Sequence, residues 1–271
     1  MSNRIASSER SVMKNNDAYF KQWRVGIGFS NKNEAQEFFK ATDIRPKIDF
    51  ALIDRRNERV FEILKLLNKS LHKDVSNLNI GDLKYRYIQL PKEKIIDTEL
   101  ILKFNNHGRR CEDVYLSWLR GYAIAGLMVP AIKHIFGVQL SAIRNVGGDD
   151  FENIETFKRL PAADLEIDLP SGRKALIEVQ AGFQGVNDVK EHKLIEAASV
   201  FKKTSIPTVV FHIDALNGQA AIIVCQKLDL KNIDMIKRAQ FEGQKVMAIK
   251  PEQFNWRLSE FPCRMTEDEL F

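Results

Sequence analysis

The spacing of hydrophobic residues in this chain changes from a helical period to an alternating one near residue 110. In the first part, helical spacing predicts a helix over 33–41 and another over 57–73. The second of these rests on Val60, Ile63, Leu64, Leu67 and Leu71. Two short runs, 85–90 and 99–104, are typical of strands, and Pro91 ends the first of them. The first part of the chain is therefore predicted to be mostly helical.

The second part begins with a long helical pattern over 112–135. One face of this helix carries Val114, Trp118, Leu119 and Tyr122. Pro130 predicts a kink near its end. Strands are predicted over 139–144, 163–169 and 174–180. The last two are joined by a hairpin turn signal, Pro170-Ser171-Gly172-Arg173.

Another helix and a strand pair follow this hairpin. Asn187 is predicted to cap a helix that ends near residue 203, because Asn is a preferred N-cap residue. Its apolar face would consist of Leu194, Ile195, Ala198 and Phe201. A buried strand over 208–213 then turns at Asn217-Gly218 into a strand over 219–226. The predicted order is helix, three strands, helix and two strands, which is typical of an α/β fold.

Charge is distributed unevenly along the chain. Residues 1–110 contain 22 Lys and Arg against 14 Asp and Glu, whereas the remainder contains 19 against 22. A basic surface gains affinity for nucleic acids by releasing counterions from phosphate groups, without reading sequence. The polar run 105–113 marks a domain boundary. We therefore expect an accessory region over 1–106 that contacts nucleic acid, and an α/β core with a C-terminal extension over 107–271.

Other features of the sequence exclude several classes of protein. Cys111, Cys225 and Cys263 are widely spaced and form no CxxC pair, which argues against a disulfide framework and against a zinc site. No apolar run reaches the roughly 18 residues that cross a bilayer, so no membrane partner is expected. The N-terminal residues lack the apolar core of a signal peptide, and we expect a cytoplasmic protein.

Acidic residues concentrate on the two strands that flank the hairpin turn. They are Asp164, Glu166 and Asp168 on the first strand and Glu178, beside Gln180, on the second. Each set occupies every second position and so shares one face of its strand. An odd-numbered loop would bring the two faces together, and a two-residue turn would separate them. Two of these acids and the backbone carbonyl of Val179 would suffice to bind one Mg²⁺, a hard cation that keeps several waters.

The residues Ala163-Asp164, followed by Glu178-Val179-Gln180 on the next strand, resemble the motif of the PD-(D/E)XK nuclease superfamily. The order of elements is similar over 112–226, whereas the motif covers only a few residues. Pro161 lies slightly upstream of the superfamily's proline, and Gln180 replaces its lysine, as in the ExQ subgroup of type II restriction endonucleases. The resemblance implies a restriction-endonuclease-like core, with a central mixed β-sheet flanked by helices in the order αβββαβ, beside a mostly helical N-terminal region.

The resemblance also implies roles for the motif residues. Asp164, Glu178 and the Val179 carbonyl would bind Mg²⁺. Asp168 is the alternative to Asp164 as the metal ligand, and Asp164 is preferred by its position in the motif. Gln180 would orient the attacking water, but a neutral amide cannot take the proton of that water.

Further residues would assist this motif. Lys190 or Lys193, on the following helix, would supply the positive charge that Gln180 lacks. Glu112, at the start of the first core helix, would be an accessory acid near the metal. The predicted DNA contacts are Arg55, Arg56, Arg59, Arg109 and Arg110, because arginine binds phosphate groups and reads guanine.

The activity implied by the resemblance is that of a type II restriction endonuclease, a hydrolase of a restriction system. It would use Mg²⁺ to cleave phosphodiester bonds of double-stranded DNA at a short specific sequence, leaving 5′-phosphate ends. A homodimer is expected, because a two-fold site is most easily cut by a two-fold enzyme. Two alternatives stay open. One is a non-catalytic DNA-binding protein of the same fold, which Gln180 favours, and the other is a repair or recombination nuclease that recognises DNA structure.

Overall fold

The computed structural model describes residues 17–40, 47–77, 79–104, 109–146, 163–239 and 243–271. Two compact units divide the chain, Met1–Lys47 and Ile48–Phe271. Part of the expected boundary run, 105–108, lies outside the described residues. Residues from both sides of that run share one hydrophobic core, from Ile53 to Leu270. The division into 1–106 and 107–271 stays a prediction about function.

The first unit contains two helices, α1 (Asp17–Gly26) and α2 (Lys32–Phe39). The Asn31 side chain caps α2 by accepting a hydrogen bond from the Glu34 amide at 2.9 Å, as expected for a preferred N-cap residue. Sequence periodicity predicted α2 correctly and did not predict α1.

Two long helices form the helical layer of the second unit, α3 (Phe50–Ser70) and α5 (Cys111–Ile135). Both predicted helices are confirmed, although α3 begins earlier than its pattern indicated, because Asp49 caps the Leu52 amide at 2.8 Å. The two helices pack through fully buried side chains such as Leu64 and Leu119. Burial of one such side chain contributes about 1.5–3 kcal/mol.

The segment between these helices is helical, and the two strands predicted there are wrong. It contains α4 (Ile80–Lys84), a π-helical turn (Tyr85–Gln89), a second π-helical turn (Lys92–Ile96) and a 3₁₀ turn (Leu100–Lys103). Its buried side chains, which include Leu83, Ile88, Ile95 and Ile101, belong to the same core as α5. Short apolar runs of this kind fit either a strand or a buried helical turn, and packing against α5 decides between them.

A six-stranded mixed sheet forms the centre of the second unit, in the order β1-β2-β3-β5-β6-β9. Its strands are β1 (Ile143–Asn145), β2 (Leu165–Asp168), β3 (Lys174–Gly182), β5 (Thr208–Asp214), β6 (Gln219–Val224) and β9 (Phe254–Arg257). Pairing is parallel between β3 and β5 and antiparallel elsewhere. The strand predicted over 139–144 is shorter than expected, because a 3₁₀ turn (Leu140–Ala142) precedes β1.

The two faces of this sheet bury different hydrophobic clusters. Val209, Phe211 and Ile213 of β5 belong to the cluster that contains α5. Val210 of the same strand joins a second cluster with Leu194 of helix α6 (Glu191–Thr204). Alternate residues of a strand point to opposite faces, so the sheet lies between two helical layers. The central mixed sheet flanked by helices, in the order αβββαβ, is confirmed.

A short strand that the sequence did not predict precedes α6. It is β4 (Asp188–Lys190), which pairs with β8 (Lys245–Ala248), itself paired with β7 (Met235–Lys237). The prediction that Asn187 caps α6 is wrong, because its side chain bonds to Asp214 and His212 instead. The predicted apolar face also needs correction, since Ile195 is exposed and Ala197 is buried.

Glu267 and Phe271 contact the hairpin turn between β2 and β3. Glu267, in the short helix α7 (Glu267–Leu270), accepts hydrogen bonds from the Ser171 amide at 3.0 Å and from Arg173 at 2.7 Å. The Arg173 guanidinium also lies 3.8 Å from the ring centre of Phe271. Within the described ranges, none of the helices is both long and apolar enough to cross a bilayer.

Gly126→Ala is expected to lower the free energy of unfolding by about 1–3 kcal/mol, because overpacking a core contact costs about this much. A Cβ atom at Gly126 would overlap the ring of Tyr87, which also packs edge-on against Tyr122. Urea denaturation checks the change.

Gly121→Ala, in the same helix, is the matched control. A Cβ atom there would have no neighbour within 4 Å. Alanine favours a helix by roughly 1 kcal/mol over glycine, so this variant is expected to be slightly more stable than wild type. Equal stability of the two variants would contradict the close packing of Tyr87 on α5.

Candidate active site

The register of the β2–β3 hairpin brings the acidic faces of the two strands together. Five residues, 169–173, connect Asp168 to Lys174, which are themselves paired, as are Glu166 and Leu176. An odd-numbered loop was the condition for a shared face. Glu166, Glu178 and Gln180 therefore lie on the same side of the sheet.

Asp164 contacts the chain neighbours of Glu178 at one end of this hairpin. It directly precedes Leu165, the first residue of β2, which pairs with Ile177. The Asp164 amide donates a hydrogen bond to the Ile177 carbonyl oxygen at 3.1 Å. The Asp164 carboxylate accepts a hydrogen bond from the Val179 amide at 2.7 Å. Asp164 therefore bonds to the residues on both sides of Glu178 in β3. Pro161, the superfamily-like proline, lies outside the described residues.

Glu178 is paired with a lysine from α6. Lys193 Nζ lies 3.1 Å from the Glu178 carboxylate, and the two side chains are 27% and 13% exposed. One of the two lysines predicted to supply charge to the motif therefore contacts the motif directly.

Asp168 lies at the opposite end of β2, inside a different ion network. Its carboxylate is bound by both terminal nitrogens of Arg144, which also binds Glu166 at 2.7 Å. Lys174 binds Glu166 as well, at 2.8 Å. Asp168 lies four residue steps from Asp164, which is about 13 Å along an extended chain. Asp164 and Asp168, the alternative metal ligands, therefore cannot both bind one ion beside Glu178.

A cleft of about 350 Å³ lies where β3 ends between α5 and α6. Its polar lining residues come from five elements: Ser117 and Arg120 of α5, Glu178 and Gln180 of β3, Asp188 and Lys190 of β4, His192 and Lys193 of α6, and His212 of β5. Positive and negative groups thus face one space that is open to solvent. We refer to this space below as the cleft.

The donor atoms at this end of β3 fit a hard divalent cation. Two carboxylates, those of Asp164 and Glu178, and the carbonyl oxygen of Val179 are all oxygen donors. Among the described residues, no three His, Cys, Asp or Glu side chains come together. Oxygen donors of this kind suit Mg²⁺, which keeps several of its waters.

Glu112, the predicted accessory acid, is engaged elsewhere. Its carboxylate is 2% exposed, binds Arg110 at 2.9 Å and accepts a hydrogen bond from the Asp49 amide at 2.8 Å. It does not line the cleft. These contacts tie the start of α5 to the start of α3.

The five predicted DNA-binding arginines differ in their surroundings. Arg55 is exposed, and Arg59 is exposed beside Glu62 at 3.3 Å. Arg56 binds Asp113 at 2.5 Å. Arg109 donates to the hydroxyl of Ser117, a cleft residue, at 3.0 Å. Arg109 therefore approaches the cleft directly.

A buried chain of hydrogen bonds fixes the protonation of His212. The Asp214 carboxylate can only accept, so the Asn187 Nδ2 atom donates to it, at 2.9 Å. The Asn187 Oδ1 atom then faces the His212 Nε2 atom at 2.9 Å, which must carry the proton. Nδ1 is left with its lone pair, buried and without a hydrogen-bond partner in the described structure. Burial lowers the pKa of His212 to about 4, so the ring is neutral at pH 7.

Gly182 makes this chain of hydrogen bonds possible. A Cβ atom at position 182 would lie 2.6 Å from the Asn187 Oδ1 atom and 2.9 Å from the Val186 carbonyl oxygen. Only a residue without a side chain leaves room for Asn187 to reach His212.

Sequence reasoning missed Arg120 and the Asn187–His212 contact. A signal for Arg120 was present, because it is the single charged residue between Asp113 and Lys133. A lone charge within a long apolar helix predicts a specific role. The Asn187–His212 contact joins residues 25 positions apart and depends on the parallel pairing of β3 and β5.

Comparisons with known proteins give one weak likeness. No family model matches this sequence, and no curated protein matches it. Among solved structures, the chain is similar to a Holliday junction resolvase of Archaeoglobus fulgidus, with 11% identity and a TM-score of 0.27. The alignment covers 42% of this chain and 76% of that chain. The fold assigned above rests instead on the order and pairing of the strands.

His212 is expected to make stability depend on pH below neutrality. Its pKa is about 4 in the folded protein and 6.5 in the unfolded chain, where the ring is exposed. As the pH falls, the unfolded chain therefore binds a proton before the folded protein does. The contribution is fully present above pH 6.5 and is lost as the pH falls from 6.5 towards 4, by up to about 3 kcal/mol.

Urea unfolding of wild type and His212→Gln at pH 7 and pH 4.5 measures this effect. The carboxylates titrate in both proteins, so the difference between the two pH dependences reports His212 alone. We expect the variant to lose less stability than wild type over this range. Parallel losses would contradict a buried neutral imidazole.

Proposed function

We propose that this protein is a Mg²⁺-dependent nuclease that hydrolyses phosphodiester bonds of DNA. The observation that carries the proposal is that Asp164 bonds to Ile177 and Val179, the chain neighbours of Glu178, while Lys193 binds Glu178 itself. Two acids and a lysine at the end of neighbouring strands, beside a cleft lined with basic residues, suit the hydrolysis of a phosphate ester.

Each residue has a distinct role in this proposal. Asp164, Glu178 and the Val179 carbonyl would hold Mg²⁺, which would neutralise charge on the reacting phosphate. Gln180 shares its strand face with Glu178 and orients the attacking water through its amide. Lys193 supplies the positive charge that Gln180 lacks, and Lys190 lines the same cleft.

The finer proposal is a type II restriction endonuclease that acts as a homodimer on duplex DNA and leaves 5′-phosphate ends. A nuclease specific for branched or damaged DNA would use the same residues and differ only in its substrate. A DNA-binding protein without catalysis is the third candidate, which the neutral amide of Gln180 favours. The choice of substrates in the assay separates these three.

The first test incubates purified protein with unmethylated plasmid and phage DNA, with Mg²⁺ or with EDTA. Four-way DNA junctions and single-stranded DNA are tested in parallel. Discrete Mg²⁺-dependent bands from plasmid support the restriction enzyme, and cleavage confined to junctions supports the structure-specific nuclease. Binding without cleavage of any substrate would leave only the non-catalytic candidate.

Asp164→Asn and Glu178→Gln are expected to lower cleavage on the order of 100-fold or more, because each removes a charged ligand of the Mg²⁺ that would neutralise the reacting phosphate. Asp168→Asn is the matched control, since Asp168 lies on the same strand within the Arg144 network. It is expected to retain near wild-type activity in the plasmid assay. Loss of activity in Asp168→Asn with full activity in Asp164→Asn would reverse the assignment of the metal ligand.

Lys193→Ala is expected to lower cleavage by about 10–100-fold, the usual effect of removing a partner of a metal ligand. Lys202→Ala, an exposed lysine on the last turn of the same helix, serves as the control. Initial rates of plasmid cleavage at saturating Mg²⁺ give the comparison. If both variants cut at the wild-type rate, Lys193 has no part in the reaction.

A further inference from the structure

Arg120 lies on the wall of the cleft with part of its guanidinium group unpaired. The side chain is half-buried, and its Nε atom is buried without a hydrogen-bond partner in the described structure. The ring of Phe183 holds the guanidinium from one side, with a distance of 5.1 Å to the ring centre. A buried donor without an acceptor costs roughly 1–3 kcal/mol, and more for a charged group. A hydrogen-bond acceptor beside Arg120 Nε would therefore be favourable.

The acids around the cleft already have cationic partners. Lys193 binds Glu178, Arg238 binds Asp188 at 3.0 Å, and Arg56 binds Asp113. Within the described ranges, no acidic side chain forms an ion pair with Arg120. A bound anion would supply the acceptor that Arg120 lacks within these ranges.

Other positive charges lie close to Arg120. Burial lowers the pKa of Arg120 below its usual value, and the charges of Arg109 and Arg56 lower it further. Arg56 also has a buried terminal nitrogen, Nη1, without a partner in the described structure. Arg109 reaches the same wall through Ser117, one turn of α5 before Arg120. Like charges held close together repel one another, and a bound anion would relieve the repulsion.

The other residues that line the cleft suggest what kind of anion fits. They include Glu178, Gln180, Lys190 and Lys193, the residues to which we assign the chemistry. An anion bound by Arg120 would lie beside them, in a space of about 350 Å³ that is open to solvent. The planar guanidinium group matches the oxygens of a phosphate in two-pronged geometry.

We propose that Arg120 is a phosphate ligand of the cleft, which grips a backbone phosphate of the DNA strand that lies against Glu178. This inference rests on the proposed nuclease function and adds to it the residue that positions the strand. Arg120 acts as a positioning residue, because it binds the strand and takes no part in moving protons. Arg109, two residues before the start of α5, and Arg56 of α3 add positive charge near Arg120.

The test measures affinity for a duplex oligonucleotide, without divalent metal, over a series of salt concentrations. Each lost phosphate contact reduces the slope of log K against log salt by about 0.9. Arg120→Gln is expected to show this reduction. Arg120→Lys, which keeps the charge and loses the two-pronged geometry, is expected to keep the slope and to bind more weakly. Arg257→Gln, which removes a 78% exposed arginine on β9, is the control and is expected to match wild type.

A second measurement on the wild-type protein does not depend on the folding of a variant. The ¹⁵N–¹H signal of the Arg120 Nε group, assigned by its loss in Arg120→Lys, is followed while inorganic pyrophosphate is added. A shift that saturates supports a phosphate site at Arg120. A signal that does not move, together with a wild-type salt slope in Arg120→Gln, would overturn the proposal.

The outcomes for Arg120 and for the nuclease activity are distinguishable. If Arg120 binds phosphate but the protein cuts no DNA, the phosphate site is supported and the nuclease function is rejected. If the protein cuts DNA with Mg²⁺ but Arg120→Gln changes neither the salt slope nor the cleavage rate, the nuclease function is supported and the phosphate site is rejected.

Discussion

The parallel pairing of β3 with β5 is the constraint on which the candidate site depends. A parallel pair is stable only when both of its faces are covered, and its strands must be joined by a crossover. All seven residues of β5 are buried, and α6 is the crossover. Because α6 must cross the face opposite α5, Lys193 reaches Glu178, and the strand register sets His212 beside Gln180. The cleft therefore arises from the way the sheet is covered.

The order of elements after residue 110 could be predicted because each element is long enough to show its period. The 25 residues of α5 and the alternating β3 are examples. Between residues 80 and 104 the same reasoning failed, since turns of four or five residues carry too few apolar positions to distinguish a helix from a strand. The three-residue β4 escaped notice for the same reason, and it displaced the expected start of α6.

Prediction of the site was limited in a different way. The acids themselves were evident from the sequence, but their meeting depended on the length of the loop after Asp168. The choice between Lys190 and Lys193 depended on the rotation of α6, which is set by packing of Leu194 and Ala197. Arg120 packs on Phe183 and Asn187 bonds to His212, both in distant parts of the chain, so no local pattern could identify these contacts. Sequence periodicity fixes the face of an element, and tertiary packing then decides which faces meet.

The five-residue connection between β2 and β3 has a consequence for how this chain can vary in length. Side chains alternate strictly along a strand, so adding or removing a single residue in this connection would exchange the two faces of β2. Glu166 would then point into the core, and Leu165 and Ile167, now buried, would point to the opposite face. Adding or removing two residues leaves the faces unchanged. Natural or engineered variants that keep the acidic face of β2 are therefore expected to differ by an even number of residues in this connection.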